Sequence, residues 1–273
     1  AKFNPSQIIH CASLTNVDQC ETDSDLARES NVLATRYLVE AMSDNADLVY
    51  ISTDAVYDGF AGNFSENAKI MPQNYYGISK YEGELEALKK GNALILRTNI
   101  FGWNIQDKKS LSEWILDTLK AGRKINCFKD AIFSSIYTFE LSRVIDIAIQ
   151  HKLKGVYNCG SSDACSKYEF ALKLADCFGL NKELITPISI EEFNFKAKRG
   201  KVLSLNVSKL QKKLNYKLPT IDQSIEAFYR DYKSGLPERL KEAFSAKRET
   251  SEFLSYGKHW IGGDDIWAVV DTM

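Results

Sequence analysis

Tyr76 and Lys80 stand four residues apart in Tyr76-Gly77-Ile78-Ser79-Lys80, about two dozen residues after an apolar run that ends Ser52-Thr53-Asp54. On a helix, positions i and i+4 share one face, so this phenol and this ammonium can point into the same cleft. A carbonyl that accepts a hydride becomes an alkoxide and must be protonated as charge develops. A free phenol, with a pKa near ~10, is a sluggish partner at neutral pH. A neighbouring ammonium favours the phenolate and lowers that pKa, and the Thr53 hydroxyl can hold the reacting oxygen. Tyr75 has Ser79, not a lysine, four residues on, which makes Tyr76 the better candidate. A Tyr-x-x-x-Lys pair alone is most simply a surface helix pair. Its spacing from a strand ending Ser-Thr-Asp makes the chemical reading specific.

These residues need a scaffold of strand ends. Asp47–Ser52 is a short apolar run suited to a strand buried on both faces. Gln7–Cys11 precedes it and Ala93–Arg97 follows it, with helices expected between them. The first helix opens at Ser24/Asp25, with Leu26, Leu33, Tyr37, Leu38 and Ala41 on one face; the second runs from about Tyr75 to Lys90. Alternating strands and helices imply parallel strands joined by crossovers, with ligands at the C-terminal strand ends. Past Phe101 the pattern loosens. Helices are expected at 111–120, at 139–150 and from a Ser166 cap to Phe178, with short strands near 125–128 and 156–158. The fold expected is α/β: a Rossmann-like doubly wound parallel sheet over 1–100, and a smaller C-terminal α/β substrate lobe over 101–232. Residues 233–250 read as a linker or a loosely packed helix. Asp264-Asp265 can cap a further helix with Ile266, Val269, Val270 and Met273 on one stripe, which stops in mid-helix. Both ends of the chain therefore read as cut, with 251–273 the start of another domain.

Composition narrows the partners. The 273 residues carry 35 basic and 36 acidic side chains, a net charge of −1, so nothing points to nucleic acid. Six scattered cysteines without a C-x-x-C pair, and three histidines, make a metal site improbable. Cys11 and Cys159 read as buried small hydrophobes. Reduced thiols and the lack of a signal peptide point to the cytoplasm, and no apolar run approaches the ~20 residues of a membrane span.

With these motifs in view, the chain resembles an extended short-chain dehydrogenase/reductase, most closely the dTDP-4-dehydrorhamnose reductase branch, over roughly residues 5 to 232. Ile8–Asp18 looks like one of that branch's strands and its cofactor-facing loop, and Ser52–Gly59 looks like its Ser-Thr-Asp-Tyr-Val-Phe-Asp-Gly signature with Ala55 in place of the tyrosine. Tyr76–Lys80 and Leu96–Gly102 match further blocks. The resemblance implies NADH or NADPH as cofactor and a nucleotide sugar as substrate. It implies Tyr76 as proton donor, Lys80 as its tuner and ribose ligand, and Thr53 as hydrogen-bond partner of the reacting oxygen. Cys11, Ala12, Ser13, Ser52 and Thr98 would line the cofactor, and Asp54, Asn99 and Ile100 the sugar. Asn31 matches a family asparagine on the following helix, although an ordinary helix-surface asparagine reads almost as well. A homodimer is compatible with the resemblance.

Two departures matter. Sugar-nucleotide 4,6-dehydratases of the same superfamily carry Thr-Asp-Glu, and the absence of a glutamate at position 55 disfavours dehydration. The family's Gly-x-x-Gly-x-x-Gly turn, which seats the pyrophosphate on a helix N-terminus, is not in this sequence. The sheet is thus expected to lack its N-terminal strand-turn-helix, and the fragment to bind cofactor poorly. Leu254–Ile261 with Asp264-Asp265-Ile266 resembles the opening of a DegT/DnrJ/EryC1/StrS aminotransferase, which would make the parent a fusion. The leading expectation is NAD(P)H-dependent reduction of a keto-deoxysugar nucleotide in polysaccharide or glycan synthesis. The alternatives are a non-catalytic nucleotide-binding regulatory module and an epimerase.

Overall fold

The computed structural model describes residues 5–104 and 109–250, with side chains through residue 245. The expected helix start and the aminotransferase-like motif within 251–273 lie outside the described residues. The first elements are β1 (Gln7–His10), α1 (Val17–Thr22), α2 (Ser24–Arg28), a π turn (Glu29–Leu33), α3 (Ala34–Ala41), β2 (Asp47–Thr53), α4 (Tyr75–Leu88) and β3 (Ala93–Thr98). Next come β4 (Ile100–Phe101), α5 (Leu111–Lys120), β5 (Ile125–Phe128), β6 (Ile132–Phe133), β7 (Ile136–Tyr137), α6 (Thr138–Gln150) and β8 (Gly155–Cys159). The chain continues through β9 (Cys165–Ser166), α7 (Lys167–Cys177), β10 (Ile185–Ile188), α8 (Ser208–Leu214), α9 (Ile221–Lys233) and α10 (Leu236–Thr250).

The main sheet is parallel, in the order β1-β2-β3-β8. Its strands read as near-continuous apolar runs because helices cover both faces. Leu48 and Tyr50 of β2, with Ala93 and Ile95 of β3, pack against α3 and α4. Val49, Leu94 and Leu96 point the other way, into a core with Val144, Ile145 and Ala148 of α6 and Leu210 and Leu214 of α8. The sheet is doubly wound, as its strand–helix alternation predicts.

A second core gathers Phe101, Ile115, Leu116, Phe133, Phe170, Leu174, Ile225 and Phe228 from β4, α5, β6, α7 and α9. This smaller lobe is not one continuous stretch, because α6, β8 and α8 return to the main sheet between its parts. Ser110, Ser166 and Thr220 each open a lobe helix with a full capping box. Among the described residues no helix is long and apolar enough to cross a membrane, and no cluster of side chains could hold a metal ion.

The first helical segment departs from expectation. Its buried residues are Ala27, Ser30, Asn31, Val32, Thr35, Val39 and Met42, while Tyr37 and Ala41 are exposed. The cause is the π turn at Glu29–Leu33, which adds a residue to one turn and rotates α3 relative to α2. Ser30, Asn31 and Thr35 give the middle of this face a small, polar stretch, where α4 lies close. A Cβ on Gly83 would stand 2.2 Å from the Tyr50 hydroxyl and 2.5 Å from the Asn31 carbonyl.

Candidate active site

A cleft of about 630 Å³ opens at the C-terminal ends of β2 and β3, between the sheet and the lobe. Thr53 and Thr98, paired in register at those ends, line it together with Asp54, Asn99, Ile100, Tyr76 and Lys80. The expected set of hydroxyl, phenol and ammonium is therefore brought to one place. Asn74 caps α4 by accepting the Gly77 N–H at 2.9 Å. Gly77 lets this first turn settle on the sheet, since a Cβ there would meet the Ala55 carbonyl at 2.3 Å. Lys80 is 3% exposed. Its ammonium donates to the Ile51 carbonyl at 2.8 Å and lies 4.3 Å from the centre of the Tyr50 ring. The carbonyl and the ring face favour its charged form inside the protein.

One turn further along α4, Glu84 anchors the helix to the sheet. It pairs with Arg97 of β3 through contacts of 2.9, 3.2 and 2.7 Å and accepts the Ser52 hydroxyl at 2.5 Å. Arg97 also donates to the Tyr57 hydroxyl, which donates to Asn158 of β8. Ser52 and Arg97 are register partners on the α4 face of the sheet, so the Ser52 hydroxyl is committed to Glu84.

The loop after β1 brings Cys11, Ser13 and Thr15 to the cleft wall, whereas Ala12 is buried and is not part of that wall. Cys11 is half-buried, contrary to its reading as a core residue, while Cys159 is fully buried. Asn31 fixes the loop. Its side-chain oxygen accepts from the Ser13 hydroxyl (2.9 Å) and the Leu14 N–H (2.7 Å), and its amide donates to the Leu14 carbonyl and to Ser79 of α4. Asn31 is buried, which removes the helix-surface reading.

At the floor, Asp54 is 3% exposed and accepts from Asn99 Nδ2 at 3.0 Å. Burial pushes its carboxyl up to about 6, against the opposing pull of Asn99, Thr53 and Lys167. Across the cleft the lobe contributes Lys167 from the start of α7, Arg199, and the aromatic faces of Phe128 and Phe195. Burial, followed by repulsion from Arg199, holds the Lys167 ammonium below the usual lysine range. Arg199 stacks over Phe195 at 4.9 Å and pairs with Asp18 of α1 at 2.9 Å, while its buried Nε has no partner among the described residues. Sequence reasoning missed Lys167, Arg199, Phe128 and Phe195. Their positions come from elements far apart in the chain, and no local spacing marks them. Thr15 and Asp18 fall inside the Ile8–Asp18 block and Asn74 just before Tyr76, without a signal of their own.

The fold and this cleft define a dinucleotide-type α/β domain with a substrate lobe over its strand ends. The family model described as the RmlD substrate binding domain matches residues 1–234, and the chain belongs to that family. The chain is similar to the β subunit of methionine adenosyltransferase 2 from Danio rerio, with 30% identity over 218 residues, covering 77% of this chain and 67% of the relative. It is also similar to a spore coat polysaccharide biosynthesis protein of Bacillus subtilis, with 29% identity over 201 residues, covering 72% and 69%. Among solved structures it resembles a dTDP-4-dehydrorhamnose reductase from Bacillus anthracis in complex with NADP, at 31% identity and a TM-score of 0.78, covering 83% of this chain and 81% of that one.

Proposed function

We propose that this chain carries the catalytic and substrate-binding parts of an NAD(P)H-dependent reductase acting on a nucleotide-activated keto-deoxysugar in polysaccharide or glycan synthesis. The observation that carries the reading is the convergence of Thr53, Tyr76 and Lys80 on one cleft at the ends of a parallel sheet. Similarity to the NADP-bound reductase and to the spore coat protein supports it.

The cleft suits the nicotinamide end of a dinucleotide. Thr98 Oγ1 is buried there with no hydrogen-bond partner among the described residues. Cys11, Ser13 and Thr15 would flank the dinucleotide from the β1 loop, and Lys80 would reach its ribose. Ser52 also lines this cleft, with its hydroxyl donating to Glu84. A nicotinamide cofactor held there would supply the hydride for the carbonyl carbon. The rest falls to the protein: Tyr76 gives its phenolic proton to the developing alkoxide, and the Lys80 ammonium eases that transfer by favouring phenolate. At the far end, Lys167 and Arg199 offer positive charge and Phe128 and Phe195 offer flat apolar faces, a combination suited to a nucleoside diphosphate. Ala55 places no carboxylate beside the sugar, which favours reduction over dehydration.

The test is NADPH oxidation by the full natural protein with dTDP-4-dehydrorhamnose. Tyr76→Phe is expected to lower turnover by about 10²–10⁴-fold; unchanged turnover would remove Tyr76 from the role. A second reading, a nucleotide-binding regulatory module, draws support from the similarity to the methionine adenosyltransferase subunit. Tight NADPH binding without reduction of any sugar nucleotide would favour it. The motif within 254–266 supports a fused aminotransferase; intact-mass measurement of the natural protein tests this, and a mass matching the reductase alone excludes it. Cytoplasmic residence is supported by Cys20, Cys127, Cys159 and Cys165, which are buried as small core side chains.

A further inference from the structure

The Thr53 hydroxyl has one hydrogen to give, and the fold directs it away from any ligand. Thr53 Oγ1 accepts the Ala55 N–H at 3.1 Å, and its own hydrogen goes to Asp54 Oδ1 at 3.2 Å. While Asp54 is a carboxylate, Thr53 therefore meets the cleft as an acceptor. A carbonyl becoming an alkoxide needs donors around its oxygen. The 3.2 Å contact is long for an O–H···O bond, so little is lost when it reverses.

We propose that Asp54 is a positioning residue for the reduction: ionised, it captures the Thr53 hydrogen, and protonated, it releases that hydrogen to the substrate oxygen. The inference rests on the reductase reading. Asp54 Oδ2 already accepts from Asn99, which leaves Oδ1 to carry the added proton. That new O–H then donates to Thr53 Oγ1. The threonine oxygen keeps two bonds as acceptor, from Ala55 and Asp54, and its hydrogen turns to the cleft. The proton that forms the Asp54 O–H bond comes from solvent, and the proton consumed by the alkoxide still comes from Tyr76.

The geometry makes both states accessible. Asp54 is enclosed by the Thr53 hydroxyl, the Asn99 amide and the lobe, from which Lys167 of α7 is the cation whose field reaches it. The other titratable groups lining the cleft are Arg199 beside Lys167, Lys201 on the same wall, Tyr76 and Lys80 of α4, Tyr57, and Cys11 of the loop after β1. With its carboxyl near 6, Asp54 exchanges its proton in the range where such a protein works.

Two measurements on the natural protein decide the matter. The first needs no turnover: the Asp54 carboxyl is followed by carbon NMR against pH in wild type and in Thr53→Val. Loss of a hydrogen bond donated to the carboxylate is expected to move its midpoint upward, and an unmoved midpoint overturns the proposal. The second is kcat/KM against pH with NADPH and dTDP-4-dehydrorhamnose. Wild type is expected to fall by up to about tenfold per unit above pH ~6, the limiting slope for one required proton. In Asp54→Asn, the donor from Asn99 holds the new amide oxygen on its side and turns the amide N–H toward Thr53, fixing Thr53 as a donor. That variant is expected to lose the decline and to exceed wild type above pH ~7. A decline that persists in Asp54→Asn, or a folded variant inactive at every pH, overturns the proposal. If wild type turns over no keto-sugar nucleotide, the reductase reading fails on its own, and the NMR midpoint still reports whether Thr53 and Asp54 are coupled. A merely structural role for Asp54 would lower the rate at every pH and leave the profile's shape intact.

Discussion

Asn31 shows how much one buried amide can organise. Its hydrogen bonds tie the loop after β1 to the π turn and to Ser79 on α4, one residue from Lys80. Asn31→Ala strands the Leu14 N–H and the Ser13 hydroxyl, and a buried unsatisfied group costs about 1–3 kcal/mol. Urea denaturation is expected to show a loss of that size, with faster amide exchange at Leu14; equal stability would mean that water replaces the amide. Residues of this kind differ in how far a sequence exposes them. Tyr76 and Lys80 were legible because i,i+4 spacing is a local rule that the fold obeys. Ser52 lines the cleft as well, but the bond of its hydroxyl to Glu84 was not legible, because strand alternation alone does not give the register with Arg97 or the position of Glu84. Lys167 and Arg199 carry no local signature, since what makes them unusual is the burial that long-range packing imposes.

Helix α4 is held by contacts that are strong because they are dry. The Glu84–Arg97 pair has side chains 1% and 5% exposed. Removing one member leaves an uncompensated buried charge, so Arg97→Met is expected to cost about 3–5 kcal/mol, while the double replacement with Glu84→Met costs far less. A thermal or urea double-mutant cycle reads the difference, and additive losses would mean that the pair is not coupled. β1 carries a second titratable burden. Burial, and then the nearby Lys80 charge, hold His10 down at about 3. An unfolded histidine titrates near ~6.5, so the unfolded chain binds more protons between these values. This contribution to stability is complete above pH ~6.5 and is lost as pH falls toward 3. Asp54 acts in the opposite sense, favouring the fold below about 4 and losing that contribution as pH rises through about 6. The stability difference between wild type and His10→Gln, compared at pH ~7 and pH ~5, is therefore expected to shrink at the lower pH. An unchanged difference would show that the buried imidazole is not held neutral. The strands and crossover helices were predictable from apolar runs and caps. The buried face of α2–α3 was not, because apolar periodicity assumes about 3.6 residues per turn throughout and the π turn breaks that count.

At the scale of the whole molecule, the segment 195–202 joins the lobe to the sheet. Asp18 accepts the Ala197 N–H at 2.9 Å and pairs with Arg199, Asn74 donates to the Lys198 carbonyl, and the Gly59 carbonyl accepts the Val202 N–H. Gly59, at φ +71°, approaches Gly200 so closely that a Cβ on it would sit 2.4 Å from the Gly200 Cα. Asp18→Ala removes both the acceptor and the counter-charge. Faster amide exchange across 195–202 is expected, with the sheet core unchanged; uniform protection would show that the glycine contact alone holds the segment. A separate lobe core and a stitched seam were foreshadowed by the loss of regular alternation after Phe101. The return of β8 to the main sheet was not, because a five-residue apolar run does not announce its neighbours.

The π turn at Glu29–Leu33 fixes the rotational phase of the helix on either side of it. Deleting one residue within it would give a smoother, unbroken α-helix of better intrinsic propensity, yet would swing everything on one side by about 100°. Asn31 would then leave the loop it clamps, or Thr35 would leave His10, its hydrogen-bond partner at 3.1 Å. The irregular turn thus sets the phase of two clamps at once: a smoother helix here would come at the cost of the formed cleft wall.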